Sequence, residues 1–170
     1  LVYLEVGEGS YPVDGVRARF GIPADAPLVL SAGYLIERKG HHHVLRALAG
    51  LWDAGSNAHL AIAGGPGAEG DYQNRLRTLA RDLHLQDRVH FTGAIPPAAL
   101  AGLMSAAHVL CLASSREGWP NVVNEALACG APVVATDIGG VPDMISSADY
   151  GFVVPAGDSG AIQPALAAVL

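Results

Sequence analysis

The fold is decided by residues 109–127, which read VLCLASSREGWPNVVNEAL. The short apolar run Val109–Ala113 is typical of a strand buried on both faces of a parallel sheet. A loop with Ser, Gly and Pro follows, and apolar residues at helical spacing resume after Pro120. A helix that begins just after a buried strand has N–H groups without internal partners, so it can bind an anion. The segment therefore predicts a strand–loop–helix unit with an anion site at its turn.

The same alternation runs through the chain. Further apolar runs predict strands at Leu28–Ala32, His59–Ala63, Arg88–Thr92, Val133–Thr136 and Phe152–Val154. Helical stripes lie between them, around Val44–Trp52, Tyr72–Leu83, Leu100–Ala107 and Val122–Leu127, and a last helix begins near Ser159. This order predicts an α/β fold, a doubly wound, Rossmann-like parallel sheet of about six strands flanked by helices. Ligands of such sheets bind beyond the carboxyl ends of the strands, where loops lead into helices.

Composition narrows the class of protein. The 170 residues fit one domain, and 51% hydrophobic with 15% charged residues indicates a globular core. The net charge of −6 argues against a nucleic-acid partner. We expect Cys111 and Cys129 to be free, buried thiols, and the alternative is a disulfide. The chain begins without Met and stops inside an apparent helix, so we expect a lead-in over 1–24 and a domain over 25–170, truncated in its last helix.

Two carboxylates flank the predicted anion site. Glu117 lies in the loop, and Glu125 lies in the helix among apolar residues, where an unpaired charge would be costly. A ligand hydroxyl or a backbone partner would relieve that cost, so the pair indicates a ligand with both phosphates and hydroxyls, such as a nucleotide sugar. The alternatives are the acid and base of a glycosidase, or a Glu125 that only pairs with a neighbour on its helix.

Two other loops carry candidate groups. In Gly33–Gly40, Lys39 can pair with a phosphate, although Arg38 and Lys39 could equally be solvated surface charges. Residues 65–70 match G-x-G-x-x-G, but the next predicted strand lacks the acidic residue that binds an NAD ribose, so we set NAD aside. A third loop, 137–143, has two glycines and would stand beside the Glu117 loop.

Three consecutive histidines, His41–His43, suggest a metal site. Adjacent helix positions lie about 100° apart, whereas metal-binding pairs on helices are spaced i, i+4. We therefore assign no metal and predict that the three residues begin a helix at the surface.

Together these segments resemble the C-terminal, donor-binding half of the GT-B glycosyltransferases of family 4, the glycosyl transferases group 1 domain. The resemblance runs from about Val13 to the end, and its parts are Gly33–Gly40, Ala63–Pro66, Val89–Gly93, the Glu117/Glu125 motif, Gly130–Thr136, Gly139–Pro142 and Gly151–Pro155. It implies a two-domain enzyme that moves a sugar from a nucleotide diphosphate-sugar to an acceptor with retention at the anomeric carbon.

The resemblance also implies roles for individual residues. Lys39 would neutralise the diphosphate, Glu117 would contact the transferred sugar, and Glu125 would contact the ribose hydroxyls. Lys39 and Glu117 would be catalytic. The implied donor-binding set is Gly33, Tyr34, Lys39, Gly64, Gly65, Thr92, Gly93, Glu117, Gly118, Asn121, Val122, Val123 and Glu125.

One position departs from the family. Tyr34 stands where the family often has an Arg that shares the diphosphate with the Lys. Losing one charge-assisted hydrogen bond is worth roughly 1.5–3 kcal/mol, or about 10- to 100-fold in affinity. Arg38 could compensate, but as the neighbour of Lys39 it is expected to point elsewhere.

The remaining implications concern partners and alternatives. We expect no cofactor and no metal, a partner domain at the N-terminus of the same parent chain, an unidentified acceptor, and a cytoplasmic parent protein, free or at the inner membrane face. The fragment alone should be inactive. The alternatives are a nucleotide-sugar epimerase or phosphorylase on the same scaffold, and a non-catalytic module that binds sugar nucleotides.

Overall fold

The sheet has six strands, all paired in parallel. In a computed structural model, which describes residues 13–67 and 72–170, the strands are β1 Leu28–Ala32, β2 His59–Ala63, β3 Val89–Gly93, β4 Val109–Leu112, β5 Val133–Thr136 and β6 Gly151–Val154. Their order is β3-β2-β1-β4-β5-β6. The predicted doubly wound parallel fold is confirmed. Strands β1, β2 and β5 have the predicted bounds, and the other three differ by one residue at one or both ends.

Helices cover both faces of the sheet. They are α1 Val13–Arg19, α2 His41–Asp53, α3 Tyr72–Asp82, α4 Pro97–Ala106, α5 Asn121–Ala128, α6 Val141–Met144 and α7 Ser159–Val169, with a 3-10 turn at Glu37–Lys39. Buried side chains of α2, α3 and α7 form the core on one face, and those of α1, α4, α5 and α6 form the core on the other. Strands β1, β2, β4 and β5 are buried along their whole length, which explains why they read as continuous apolar runs.

The strand order sets the place of a ligand site. From β1 the chain continues to β2 and β3 on one side, and β4, β5 and β6 lie on the other. The connections after β1 and β4 therefore lead in opposite directions and leave a crevice between them, the topological switch point of such sheets. We call the loops at this end, 33–40, 64–67, 113–120 and 137–140, the carboxyl rim.

Helix α1 lies within the predicted lead-in. Val16 of α1 is fully buried, and Arg17 is only 7% exposed, so the described residues of this segment pack on the domain. A seven-residue helix offers too few positions for a periodic stripe, which is why the pattern did not reveal it. Residues 1–12 and 68–71, part of the lead-in and of the G-x-G-x-x-G loop, lie outside the described residues. The division of the chain at residue 24 stays a prediction.

Both cysteines are free thiols, as expected. Cys111 is buried in β4, where burial raises the pKa of its thiol to about 12. Cys129 is half-buried at the end of α5. Within residues 13–67 and 72–170, no helix has the length and apolar character that crossing a membrane requires.

Candidate functional site

Lys39 and Glu117 meet at the switch point. The Lys39 Nζ lies 2.5 Å from Glu117 Oε1, and Arg38 Nη1 lies 3.7 Å from Glu117 Oε2. The Lys39 and Glu117 side chains are 17% and 13% exposed. Lys39 and Glu117 thus lie at the edge of the crevice, sheltered from most of the solvent, whereas the Arg38 side chain is 37% exposed. An ion pair in such a place is less screened than a surface pair.

Buried polar residues hold Glu117 in position. Ser114, which is completely buried, donates from Oγ to Glu117 Oε1 at 2.9 Å. Thr136 at the end of β5 is also completely buried, and its Oγ1 donates to the Ser114 carbonyl at 2.6 Å. The carboxylate is therefore fixed through two strand ends, which limits the entropy lost when it binds a ligand.

Close backbone contacts join the loops of the carboxyl rim. A Cβ on Gly40 would lie 1.9 Å from the Ala113 carbonyl oxygen, and a Cβ on Gly64 would lie 1.8 Å from the Gly33 oxygen. No side chain fits in either place. The loop after β1 is therefore held between the loops after β2 and β4, and it is this packing that brings Lys39 to Glu117.

His41 supports the loop that carries Lys39 through two buried hydrogen bonds. It is 1% exposed, its Nε2 lies 3.2 Å from the Tyr34 carbonyl, and its Nδ1 lies 2.8 Å from Ser31 Oγ. Because a carbonyl only accepts, Nε2 carries the proton and Nδ1 accepts from Ser31. Burial lowers the pKa of His41 to about 4, so the ring is neutral near pH 7. The prediction that His41 lies at the surface is wrong, because its position shares the inward stripe of α2 with Val44, Leu45 and Leu48.

The other two histidines are partly buried and each has a partner. His42 Nδ1 lies 2.7 Å from the Tyr72 hydroxyl, and His43 Nδ1 lies 3.0 Å from Ser159 Oγ. They border a cavity of about 680 Å³ that also touches Arg38 and Arg116. In the part of the chain that the structure describes, no group of three or more His, Cys, Asp or Glu side chains could hold a metal ion.

Helix α5 begins beside the ion pair. Pro120, the last residue of loop 113–120 of the carboxyl rim, is its N-cap, and no side chain of the described residues caps this end. The helix therefore begins at the rim with backbone N–H groups that lack a side-chain partner. Val123 is completely buried and anchors the first turn. Helix α5 has no cation at its start, and its positive end adds to the charge of Lys39 and Arg38.

Glu125 does not lie in an apolar environment, and that interpretation is wrong. The residue is exposed on α5. It follows the buried Val123 by two positions, about 200° around the helix, so its side chain leaves the core face. It lies one turn after Asn121, on the face that continues from the helix start. Its predicted contact with a ribose stays a prediction.

The expectation for Arg38 is wrong, whereas the donor contact of Tyr34 stays a prediction. The Tyr34 side chain is 64% exposed, and only its carbonyl is used, accepting from His41 and from the Ile36 N–H. Arg38 does not point elsewhere, since it approaches Glu117 and its Nη1 donates to the Arg116 carbonyl at 3.0 Å. Arg38 lies in the 3-10 turn Glu37–Lys39, where successive side chains are about 120° apart. Arg38 and Lys39 therefore approach Glu117 from different directions, one at Oε2 and the other at Oε1.

The remaining predicted positions lie along the rim. Gly93 ends β3 and its carbonyl accepts from the Gly64 N–H at 3.0 Å, while the Gly65 carbonyl accepts from the Leu35 N–H at 2.9 Å. Thr92 Oγ1 donates to the Gly93 carbonyl. Thr92 and Gly93 therefore lie beside loop 64–67 of the carboxyl rim, two strands from β1, which leads to Lys39. Gly118 is exposed in the loop after β4.

Sequence reasoning missed Ser114, Thr136 and Ser31. All three are buried polar residues at or near the ends of strands in the middle of the sheet. A hydroxyl at that position needs a hydrogen-bond partner, and this requirement is the signal that could have pointed to them.

Comparison with known proteins agrees with this architecture. The chain belongs to the family described as glycosyl transferases group 1, whose profile matches residues 14–170. Over 145 residues it is 35% identical to the 2-deoxystreptamine N-acetyl-D-glucosaminyltransferase of Streptomyces fradiae, covering 85% of this chain and 34% of that protein. Over 162 residues it is 37% identical to a D-inositol 3-phosphate glycosyltransferase of Acidothermus cellulolyticus, covering 89% and 36%.

Solved structures share the GT-B domain fold. Sucrose-phosphate synthase from Thermosynechococcus elongatus has a TM-score of 0.81 at 33% identity, covering 94% of this chain and 40% of that one. Anabaena HepE, in complex with UDP and glucose, has a TM-score of 0.82 at 27% identity, covering 91% and 41%. The chain spans about a third of the length of the curated relatives it matches.

Proposed function

We propose that this chain is the donor-binding domain of a retaining GT-B glycosyltransferase of family 4, which transfers a sugar from a nucleotide diphosphate-sugar. The observation that carries the proposal is the contact of Lys39 with Glu117 beside the start of α5. Family membership and the complexes of HepE with UDP and with UDP-glucose support it.

The charges at the rim suit a diphosphate. Lys39 uses one of its three N–H donors for Glu117, which leaves two for phosphate oxygens. Arg38 and the N–H groups that open α5 add positive potential on the same side. Cationic side chains and a helix end would thus neutralise the diphosphate, and we propose that transfer needs no metal ion.

In this proposal, Glu117 contacts the transferred sugar. Its oxygens are held by Lys39, Ser114 and Arg38, and a phosphate drawn to Lys39 would loosen the first contact. The carboxylate could then accept a hydrogen bond from a sugar hydroxyl. In the proposed step the bond from the anomeric carbon to the phosphate oxygen breaks, and a bond to the acceptor oxygen forms on the same face. The departing phosphate takes the acceptor's proton.

Calorimetry of the chain with UDP, GDP and ADP tests binding. We expect one of them to bind at micromolar to millimolar concentration, and Lys39→Ala to weaken that binding by about 10- to 100-fold, the value of a charge-assisted hydrogen bond. Arg81→Ala is the matched control, because Arg81 is an exposed cation on α3 outside the carboxyl rim. Absence of heat with all three nucleotides at millimolar concentration would contradict the proposal.

A second assay separates an enzyme from a non-catalytic binding module. In the parent protein, Glu117→Gln should reduce sugar transfer by about 10²- to 10³-fold while nucleotide binding changes little, because the carboxylate acts on the sugar. If the unmodified parent protein transfers no sugar and Glu117→Gln weakens only the binding of the nucleotide sugar, the non-catalytic binding module is favoured. The same assay in EDTA tests the expected independence from metal.

A further inference from the structure

Trp119 is an exposed aromatic residue on the carboxyl rim. Its side chain is 55% exposed, although it lies two residues after Glu117 in a tight loop. A single exposed aromatic residue is ordinary on a protein surface, so it is the position of this ring at a charged crevice that points to a ligand.

The indole is held from below rather than left mobile. A Cβ on Gly140 would lie 2.1 Å from Trp119 Cε3, so the ring rests directly on the glycine backbone. The Gly140 N–H donates to the Gly118 carbonyl at 2.8 Å, and a Cβ on Gly139 would lie 2.3 Å from the same oxygen. Pro120, which is buried, restricts the chain on the other side. The loops after β4 and β5 are therefore joined, and Trp119 has a fixed place.

The order of groups across the rim is also fixed. Glu117 contacts Lys39 on the side of β1, whereas Trp119 contacts Gly140 on the side of β5. A ligand with its anionic part at Lys39 that extends toward β5 would pass the carboxylate and then reach the indole. A pyranose ring suits these two neighbours, since its hydroxyls bind a carboxylate and its C–H face is apolar enough to pack on an aromatic face.

We infer that Trp119 forms a stacking platform for a pyranose ring beside Glu117. This rests on the proposed glycosyltransferase function. The ring could come from the nucleotide sugar or from a saccharide acceptor, and both would use the same aromatic face.

Fluorescence can report on Trp119 alone. The chain has two tryptophans, and Trp52 lies elsewhere, with its Nε1 donating to the Ala58 carbonyl and Arg88 over its ring at 3.7 Å. Trp52→Phe leaves Trp119 as the sole indole and keeps an aromatic ring for Arg88. We expect the bound nucleoside diphosphate to change its emission little, and the corresponding glucose or N-acetylglucosamine conjugate, or else the acceptor, to shift it to shorter wavelength.

Affinity measurements identify the source of the ring. If it is the donor sugar, Trp119→Ala should weaken nucleotide-sugar binding about three- to tenfold and nucleoside diphosphate binding less than twofold. If it is an acceptor sugar, Trp119→Ala should leave the affinities for the nucleotide sugar and the nucleoside diphosphate unchanged. The acceptor KM of the parent enzyme should then rise by about three- to tenfold. Trp119→Phe keeps an aromatic ring, so its loss of affinity should be smaller than that of Trp119→Ala. Gly140→Ala displaces the indole, so it should weaken binding as Trp119→Ala does.

Tyr150→Ala is the matched control, since Tyr150 is 47% exposed and precedes β6 at the opposite end of the sheet. The inference is overturned if the nucleoside diphosphate binds but Trp119→Ala changes none of these constants. Equal weakening of nucleotide and nucleotide sugar, or a clearly lowered Tm, would show a structural role and overturn it too. If the unmodified chain binds no nucleoside diphosphate, the proposed function itself fails, which is a different result.

Discussion

Cations serve two different purposes at the two ends of this sheet. At the carboxyl rim, Lys39 and Arg38 face a carboxylate, and both retain exposed surface. At the other end, which we call the amino rim, Arg17 is buried and donates to four backbone carbonyls, those of Pro23, Ala24, Ala26 and Ala106. The first arrangement leaves donors for a ligand, and the second uses its donors to tie connecting segments together.

Histidines at the amino rim, like Arg17, form their hydrogen bonds with other groups of the protein. Arg88 Nη1 donates to His59 Nε2 at 3.2 Å, so His59 Nδ1 carries the proton and donates to His90 Nε2 at 2.8 Å. The His108 Nδ1 accepts from the Leu28 N–H that opens β1. These polar groups are satisfied within the protein. The comparison teaches that charge alone does not mark a site, and that the difference lies in whether the donors are used within the protein or remain available to a ligand.

The largest expected effect is a loss of stability caused by a substitution at the amino rim. Arg17→Ala leaves four carbonyls without their donor, so we expect the free energy of unfolding to fall by about 3–5 kcal/mol. Urea denaturation measures this, and Arg81→Ala should change it by less than about 0.5 kcal/mol. Arg17→Lys, which keeps fewer donors, should lie between. Should Arg17→Ala leave stability intact and weaken nucleotide binding instead, the contrast between the rims is wrong.

The intermediate effect is a loss of stability at low pH. The folded pKa values of His41, His42 and His59 are lowered to about 4, chiefly by burial. Below the unfolded pKa of about 6.5 the unfolded chain binds more protons, so stability is full above that pH and falls as the pH drops toward 4. His41 alone should account for about 2–3 kcal/mol.

Urea titrations at pH 7.5, 6, 5 and 4.5 would follow this loss. His41→Asn should be less stable at pH 7.5 but show a shallower dependence on pH. A variant with the unmodified slope would show that His41 does not carry the acid response.

The smallest expected effect concerns the hydrogen bond that holds Glu117 in place at the carboxyl rim. Ser114→Ala removes one of the hydrogen bonds on Glu117, so we expect nucleotide-sugar affinity to fall about fivefold, or about 1 kcal/mol. The neighbouring Ser115→Ala is the control, because Ser115 is exposed and its Oγ contacts only the Arg38 carbonyl, at 3.4 Å. If both variants have the same affinity, the position of Glu117 does not depend on Ser114.

The sequence was informative where burial acts on whole segments. Apolar runs located each of the six described strands, and in β1, β2, β4 and β5 they reflect burial on both faces of the parallel sheet. The rule that ligands bind at the carboxyl ends of strands then placed Lys39 and Glu117 at one edge, and the structure brings them into contact.

Single side chains were harder to place, because their direction depends on helix phase. Three consecutive histidines at 100° steps cannot share one face, and the spacing of three and four residues to Val44 and Leu45 identifies His41 as the one on the core face. The same count from Val123 turns Glu125 outward. Arg38 could not be placed in this way, since its direction follows from a 3-10 turn that no periodic pattern announces.

The glycine contacts at Gly40 and Gly64 bear on how the proposed donor preference could be redesigned. Because each of these loops rests on the backbone of its neighbour, a loop transplanted singly from a relative would meet a surface shaped for another partner. The segments after β1, β2 and β4 should be exchanged as one unit, with both glycines kept, if a chimera is to retain its fold while acquiring a new specificity.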